Sequence, residues 1–409
     1  MSSLSRRFSL LLMPLCLYAG ALCAQDRIYT LGTTLDLAGG GTNQAGAAAQ
    51  PQSPSFFPFY GAYPSLTLKA AGAHTVLDSS YAYGYNRFES DPKYSDQSHT
   101  GALNFTWTLS PELKISLSDS FRSTADYATF NAIRGIASDA GPPSPIVFFP
   151  VASHVISRGN TAFIRTDYKL DDRSSLSFNA SHSLSDYLGT QYAALPNQQR
   201  FSGDFSYQYQ TGKYESWSLG YTAAYFDVAK HQAASSPFHN AYSQSIYLSY
   251  SNQLMPGLNV ELGAGVSKVD SQGPAGSYIG YNSSANLRRT VGKTSSLSLH
   301  FTQNSGDTSG LGTISSTRSG GLSYSYATKV VTFFADASLF DTKGTLDNPY
   351  SARGGSATAN VGFPLSKSWS VQTGAQYQRY TGSSAFNFAQ KRVFLTLRYT
   401  NLAFWKAAR

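Results

Sequence analysis

Few residues of this sequence have the types and spacing that catalysis requires. Gly292-Lys293-Thr294 is similar to the end of a phosphate-binding loop, but that motif needs a glycine about five positions earlier. Leu287 stands there instead, so we interpret the tripeptide as a turn between strands. The sequence contains no G-x-S-x-G nucleophile elbow and no H-E-x-x-H zinc-binding helix.

The seven histidines are scattered along the chain. His231 and His239 share one predicted loop, but their spacing is not that of a metal site. His182 falls on the apolar side of its segment, near the end that leads into a longer loop. A Ser/His lipid hydrolase on that surface is one hypothesis, and an interfacial histidine is the commoner arrangement. We predict no enzymatic activity, no metal and no cofactor.

Charged residues on the polar side of alternating segments are more informative. Charges of both signs on facing walls of a water-filled passage would set a transverse field and select solutes. Bracing or solvating the wall is the alternative role for each of them. The candidates are Lys114, Arg122, Arg165, Asp167, Lys169, Asp204, Glu261, Arg288, Asp336, Arg392 and Arg398.

The alternating strand pattern that would position such residues is clearest over residues 199–228. Phe201, Gly203, Phe205, Tyr207 and Tyr209 alternate with Ser, Asp and Gln, which predicts a strand with one apolar and one polar face. A short turn follows at residues 211–215, and the alternation then resumes. Each arm has about ten to twelve residues, roughly the length of a tilted strand that crosses a bilayer.

The composition is unusual for a soluble protein of 409 residues. Charged residues make up only 13% and aromatic residues 14%, and the mean hydropathy is −0.25. No run of about eighteen apolar residues follows the N-terminal region, so ordinary transmembrane helices are not expected. This balance is typical of a barrel wall that is apolar outside and polar inside.

The N-terminal residues 1–24 are predicted to be a cleaved secretory signal. Arg6 and Arg7 precede an apolar core, and small residues follow, with cleavage expected after Ala24 or alternatively after Ala21. Both cysteines of the chain would leave with the signal, so no disulfide is expected. Lys plus Arg would fall from 31 to 29 against 23 Asp plus Glu, and the net charge from +8 to +6. This excess is too dispersed to indicate nucleic-acid binding.

We predict an all-β fold, a transmembrane antiparallel up-and-down β-barrel of about sixteen strands over residues 73–400. A Pro/Gly-rich periplasmic arm or plug segment is predicted over 25–72, with an extra strand at 65–69 left open, and a periplasmic tail over 401–409. The predicted strands are 74–87, 98–109, 113–122, 158–169, 175–187, 198–210, 216–228, 240–253, 258–270, 277–290, 295–304, 316–328, 330–341, 353–363, 369–380 and 388–400.

Short turns alternate with longer polar loops along the chain. From Asp172 onward the short turns recur about every forty residues, a period that would also fit a propeller. A propeller blade needs four strands per repeat and only two fit here, so we favour the barrel. Trp107, Trp217 and Trp369 lie near short turns on the apolar register, which is typical of an interfacial girdle.

The longest predicted loop is 123–157, which contains an apolar, proline-rich run. Long connections of this kind are usually functional or disordered. We predict that it folds inward and narrows the lumen, with packing on neighbouring external loops as the alternative. The candidate constriction residues are Pro142, Pro143, Phe148 and Phe149.

In its signal sequence, alternating strands, turn order and tryptophan placement, the chain resembles porin-like outer-membrane barrels of Gram-negative bacteria. The resemblance covers 74–400 and implies a cell outer-membrane channel for passive diffusion of small polar solutes. A plugged structural or surface-interaction barrel and an export port for envelope polysaccharide are the alternatives. The partners that the resemblance implies are outer-membrane lipid, the outer-membrane assembly machinery and small polar solutes, and a homo-oligomer is left open. Such barrels often end on an aromatic residue, whereas this sequence ends on Arg409, and we expect Phe404 and Trp405 to serve as a displaced version of that signal.

Overall fold

The chain forms a closed antiparallel β-barrel. A computed structural model describes residues 28–43, 56–89, 96–124, 156–188, 198–228, 239–272, 276–308, 314–344, 351–382 and 388–408. In these ranges each of eighteen strands pairs with the next, and the first also pairs with the last, which closes the sheet. No helix in the described ranges is long and apolar enough to cross a membrane.

The strands are twelve to twenty-one residues long. They are β1 (Ile28–Thr42), β2 (Phe57–Ala71), β3 (Thr75–Phe88), β4 (Asp96–Thr108), β5 (Leu113–Thr124), β6 (Ile156–Lys169), β7 (Ser174–Leu188), β8 (Gln198–Gly212), β9 (Glu215–Val228), β10 (Ala241–Met255), β11 (Leu258–Ser271), β12 (Ser277–Val291), β13 (Ser295–Thr308), β14 (Ile314–Ala327), β15 (Thr332–Gly344), β16 (Ser351–Pro364), β17 (Trp369–Gly382) and β18 (Phe388–Ala408).

The antiparallel barrel is confirmed, but the predicted count of about sixteen strands was wrong. Each of the sixteen predicted strands corresponds to one of β3 to β18. The two additional strands, β1 and β2, lie in the region predicted to be an arm or plug, and β2 contains the short strand that was left open at 65–69. The predicted signal peptide, at residues 1–24, lies outside the described residues.

The arm prediction failed because β1 and β2 lack a clean alternation of apolar and polar residues. In β2, Phe59 and Tyr63 point to the same side of the sheet as Ser65, so aromatic residues occupy both faces. In β1, consecutive glycines interrupt the pattern at the end near Thr42. A Cβ built on Gly40 would overlap the carbonyl oxygen of Val393 in β18, so glycine permits this close approach of two backbones.

The predicted tail over 401–409 was also wrong for all but its last residue. Strand β18 continues to Ala408, and its backbone pairs with β1 from Ile28 opposite Ala408 to Thr42 opposite Arg392. The register shifts between Leu31 and Thr33, which marks an irregularity in the seam. The last segment is therefore part of the closure.

All eight short turns lie at one end of the barrel, and the longer connections lie at the other. Two kinds of chemistry build six of these short turns. Ser110, Asp171, Thr328 and Ser366 each accept two backbone N–H groups from the residues two and three positions later. The turns after β10 and β12 instead contain glycines with positive φ, Gly257 at 81° and Gly292 at 61°.

The two faces of the wall differ as a membrane-spanning barrel requires. Large fully buried side chains can lie only inside a closed sheet, and Asp36, Tyr63, Arg392 and Thr396 mark that inner face. The opposite face carries large apolar side chains that the chain itself leaves exposed. Examples are Leu219, Ile246, Leu248, Leu262, Ile279 and Leu395, which are 45–65% exposed.

Candidate functional site

The inner face of the barrel is the candidate site, and strand pairing determines which residues lie on it. Starting from Asp36, the direct partner across each strand pair lies on the same face. This places all eleven charged candidates on the inner face, on β5, β6, β8, β11, β12, β15 and β18. Their role in solute selection stays a prediction.

One sector of the inner face is covered. Asp36 and Thr396 are 0% exposed and Arg392 is 1% exposed, and the guanidinium of Arg392 stacks on the ring of Phe59 at 5.1 Å. Asp36 accepts two hydrogen bonds from Arg398, at 2.6 and 3.2 Å. Polar residues surround these charges on neighbouring strands. The buried inner residues of this sector include Thr342, Asn360, Gln376, Gln378, Gln390, Asn86 and Ser98.

A second sector, on β5 to β8, leaves its charged side chains accessible. Arg165 donates from Nε to both oxygens of Asp167, at 2.8 and 3.0 Å, and Ser177 on β7 donates to Asp167 at 2.6 Å. The ion pair is exposed, with 49% of the arginine side chain accessible, so it contributes little stability. Both charges lie on the face that points into the barrel.

Asp204 is the centre of a hydrogen-bond network that crosses four strands. Its Oδ1 accepts from Asn179 at 2.9 Å, and its Oδ2 accepts from Thr222 at 2.8 Å and from the hydroxyl of Tyr247 at 2.9 Å. The three donors lie on β7, β9 and β10. Since β9 and β10 are nine strands from β18 and β1 in a ring of eighteen, this network lies opposite the Asp36–Arg398 pair.

Other inner-face charges stand apart from these networks. Lys114 and Arg288 are exposed, and neither forms an ion pair in the described part of the chain. Glu261 is also exposed and accepts from Asn286 at 3.3 Å. Asp336 on β15 is part-buried, opposite Ser323 and Thr358.

Sequence reasoning missed several inner-face charged residues. Asp36 and Lys69 were overlooked because β1 and β2 had been assigned to an arm. Asp78 and Arg200 lie within predicted strands, and the same alternation could have identified them. Lys69 and Asp78 form an ion pair at 3.3 Å between β2 and β3. With these included, described inner-face cations outnumber carboxylates.

The residues predicted for the outer face lie on it. Trp107, Trp217 and Trp369 are 39–42% exposed near the short-turn end, and the last two contact Tyr250 and Tyr399. Their membrane-interface role stays a prediction. The ring centroids of His182 and Phe201 are 4.6 Å apart, and Nε2 of His182 has no hydrogen-bond partner in the described part of the chain.

Two other predictions fall outside what the structure tests. The constriction candidates Pro142, Pro143, Phe148 and Phe149 lie outside the described residues, as does His231. Among described residues no group of three or more His, Cys, Asp or Glu side chains could hold a metal ion.

Comparison with known proteins gives only distant structural similarities. No protein-family model matches this sequence, and no curated protein matches it. The outer membrane protein OpdK from Pseudomonas aeruginosa is 9% identical over 92% of this chain and 98% of its own, at a TM-score of 0.47. OccK2 (OpdF) of that organism, solved with glucuronate, is 11% identical over 91% and 98%, also at 0.47. The siderophore receptor PirA from P. aeruginosa is 10% identical over 91% and 80%, at 0.44. The closed antiparallel barrel is established by the strand pairing itself, and these distant similarities assign neither a family nor a solute.

Proposed function

We propose that this chain is an outer-membrane channel for passive diffusion of small polar solutes. The observation that carries the proposal is the contrast between the two faces of one closed sheet. The outer face presents exposed Leu, Ile, Phe and Tyr, whereas the inner face presents accessible charges such as Arg165 and Glu261. Such a wall has lipid as its natural solvent outside and water as its natural solvent inside.

The orientation follows from the lengths of the connections. Barrels of this kind have short turns on the periplasmic side and longer loops outside. Under the proposal, the turns containing Ser110 and Asp171 face the periplasm. The ends of β1 and β18 at Ile28 and Ala408 lie on that side too.

The constriction is assigned to the connection between β5 and β6. At about thirty residues it is the longest connection in the chain, and its apolar run suits a protein-lined position better than open water. The proposal predicts that a cysteine introduced at Ser144 reacts slowly with a bulky external reagent. Rapid labelling would place this residue on the outside and remove the constriction.

Single-channel recording in planar bilayers tests the proposal directly. The full-length mature chain should give ohmic steps that scale with salt concentration. Silent insertion by folded protein would contradict the open channel. Folding is checked separately by the faster migration of unheated barrel in detergent gels, so a silent folded barrel and a misfolded one are distinguished.

Selectivity gives a sharper test because the chain supplies a matched pair of residues. Arg288 lies on the inner face and Arg289, its neighbour, lies on the outer face at the same height. Arg288→Gln should shift the reversal potential in a salt gradient towards cations, while Arg289→Gln should leave it unchanged. Equal effects of the two substitutions would mean that the inner wall does not set selectivity.

A plugged structural barrel is the second candidate, and the covered sector near β18 and β1 favours it. Arg392 and Asp36 are charged yet almost wholly shielded, which an open water-filled lumen alone would not do. Conductance that appears only after deletion of 125–155 would support this alternative over the open channel.

A further inference from the structure

The loop end of the outer wall carries a cluster of cations on five consecutive strands. Strand pairing places each of them on the outer face, and all are exposed. Each lies within four residues of the end of its strand at which the longer connections lie. These residues, called here the outer basic patch, are Arg318 on β14, Lys343 on β15, Arg353 on β16, Arg379 on β17 and Lys391 on β18.

The patch is poorly neutralised by the chain itself. Asp341 is the only carboxylate among the described outer-face side chains at this end of these strands. It is the direct pairing partner of both Arg318 and Arg353. Its Oδ1 is 3.4 Å from Nε of Arg353, whose side chain is still 71% exposed. Arg379 and Lys391 form no ion pair within the described ranges.

The opposite end of the same strands has a different composition. There the outer face carries Tyr326, Phe333, Phe363, Trp369 and Tyr399 and no described charge. Aromatic side chains suit the boundary of a neutral or zwitterionic leaflet. The same sector of wall is therefore aromatic at one end and cationic at the other, so the two ends meet chemically different surroundings.

We propose that the outer basic patch binds the headgroup of an anionic, multiply phosphorylated glycolipid in the leaflet at the loop end. The proposal rests on the proposed membrane location and orientation. Arginine pairs with phosphate bidentately, and exposed guanidinium groups are available on Arg318, Arg353 and Arg379. Adjacent strands lie about 4.8 Å apart, so five strands span roughly 20 Å, enough to contact more than one phosphate of a headgroup.

Binding of lipid to the purified full-length barrel in detergent tests this assignment, with native mass spectrometry as readout. The probes are a bisphosphorylated glycolipid, its enzymatically dephosphorylated form and phosphatidylglycerol. The test variant is Arg318→Gln/Arg353→Gln/Arg379→Gln. The matched control is Arg158→Gln/Lys268→Gln/Arg289→Gln, which removes three outer-face cations on other strands.

The wild type and the control variant should retain the bisphosphorylated lipid, and the test variant should bind it on the order of a hundred-fold more weakly. Equal binding by test and control variants would overturn the site. Equal binding of the dephosphorylated lipid would overturn phosphate recognition, and equal binding of phosphatidylglycerol would overturn the choice of glycolipid. Bilayer conductance is measured separately for the wild type, the test variant and the control variant. A test variant that loses lipid binding but conducts normally would show that the lipid site and the channel can fail independently.

Discussion

Asp36 on β1 and Arg398 on β18 join the first and last strands of the barrel through two hydrogen bonds, Nε to Oδ1 at 2.6 Å and Nη2 to Oδ2 at 3.2 Å. The two residues are 362 positions apart in sequence, and the carboxylate side chain is only 1% exposed. A shielded bidentate pair is costly to break because the remaining charge keeps its desolvation cost. The pair therefore fastens the seam where the sheet closes on itself.

Replacing one partner should weaken this seam. Arg398→Ala is expected to destabilise the barrel by about 3 kcal/mol, because the Asp36 side chain, only 1% exposed, keeps its desolvation cost without this counter-charge. Urea unfolding in lipid vesicles, followed by tryptophan fluorescence, measures the change. The exposed Arg165–Asp167 pair is the control, and Asp167→Ala should cost less than about 1 kcal/mol. Equal losses for the two variants would show that shielding adds nothing at the seam.

Two glycines in strands make a matched test of close packing. Gly40 faces the backbone of β18, where a Cβ would overlap the carbonyl oxygen of Val393, whereas a Cβ on Gly203 would meet nothing within 4 Å. Gly40→Ala is expected to cost about 3 kcal/mol or more, or to prevent closure, because a backbone cannot rotate away. Gly203→Ala should change stability by less than about 1 kcal/mol.

For both variants, migration in detergent gels measures the fraction of folded barrel, and urea unfolding in lipid vesicles measures its stability. A fully folded Gly40→Ala barrel with unchanged stability would contradict the close approach of β1 and β18. The Gly203→Ala barrel controls for any general effect of alanine in a strand.

The turn between β6 and β7 should depend on pH. Asp171 accepts hydrogen bonds from the backbone N–H groups of Arg173 and Ser174, and from the hydroxyl of Ser174. These bonds favour the ionised form and hold the pKa of Asp171 below its usual range. The hydrogen bond and charge of Lys169 lower the pKa of Asp172.

A carboxyl whose pKa is lowered by folding stabilises the folded state above the unfolded pKa, about 3.9, and loses that contribution as pH falls through the folded value. The stability of the wild type relative to Asp171→Asn should therefore be greatest above about pH 4 and should shrink on acidification. Unfolding of both proteins between pH 6 and pH 2 measures this difference. A difference in unfolding free energy between the two proteins that stays constant over that range would contradict stabilisation of the turn by ionised Asp171.

A polar pair in the middle of the outer wall is expected to cost stability. Asp119 on β5 accepts a hydrogen bond at 2.8 Å from the amide of Asn160 on β6, and strand pairing places both on the face that carries Leu117 and Phe121. Lipid cannot solvate such groups well. Asp119→Leu/Asn160→Leu should stabilise the barrel by about 1 kcal/mol, since both partners are removed together.

The inner-face pair of Ser118 and Asn104, hydrogen-bonded at 2.7 Å, is the control. Ser118→Leu/Asn104→Leu should not stabilise, because these groups face the lumen side of the wall. Loss of stability in the Asp119/Asn160 double variant would mean that another protein surface, rather than lipid, covers that part of the outer wall.

Alternation revealed β3 to β18 because their inner faces are polar and their outer faces apolar, which is the pattern that a two-sided wall imposes on sequence. It failed at β1 and β2 because Phe59 and Tyr63 pack in a buried cluster inside the barrel. Where both faces of a strand are shielded from water, period-two polarity disappears. Gly40 adds to the difficulty, because glycine marks a close approach of backbones as readily as it marks a flexible linker.

The sequence predicts which charged residues lie on the inner face, but it does not predict the hydrogen-bond networks that join them. The register placed Asp204 on the correct face, yet its three donors come from three other strands, and their distances depend on stagger between strands. The Asp36–Arg398 pair could not be anticipated without knowing that residue 36 belongs to a strand. Outer-face charges such as Arg318 and Arg353 do not follow from the alternation, because that pattern assigns charged residues to the inner face.

The uneven covering of the inner wall has a consequence for how a solute would travel. Asp36, Arg392 and Thr396 are sealed from water, while Lys114, Arg165 and Glu261 are open to it. On the inner face of β9 and β11, Phe226, Ser267 and Val269 near the loop end are buried as well, whereas Lys114, Arg165 and Glu261 lie near the short-turn end. Under the proposed function, a permeating solute would therefore meet the accessible charges at the short-turn end of the barrel and shielded side chains at the end with the longer connections.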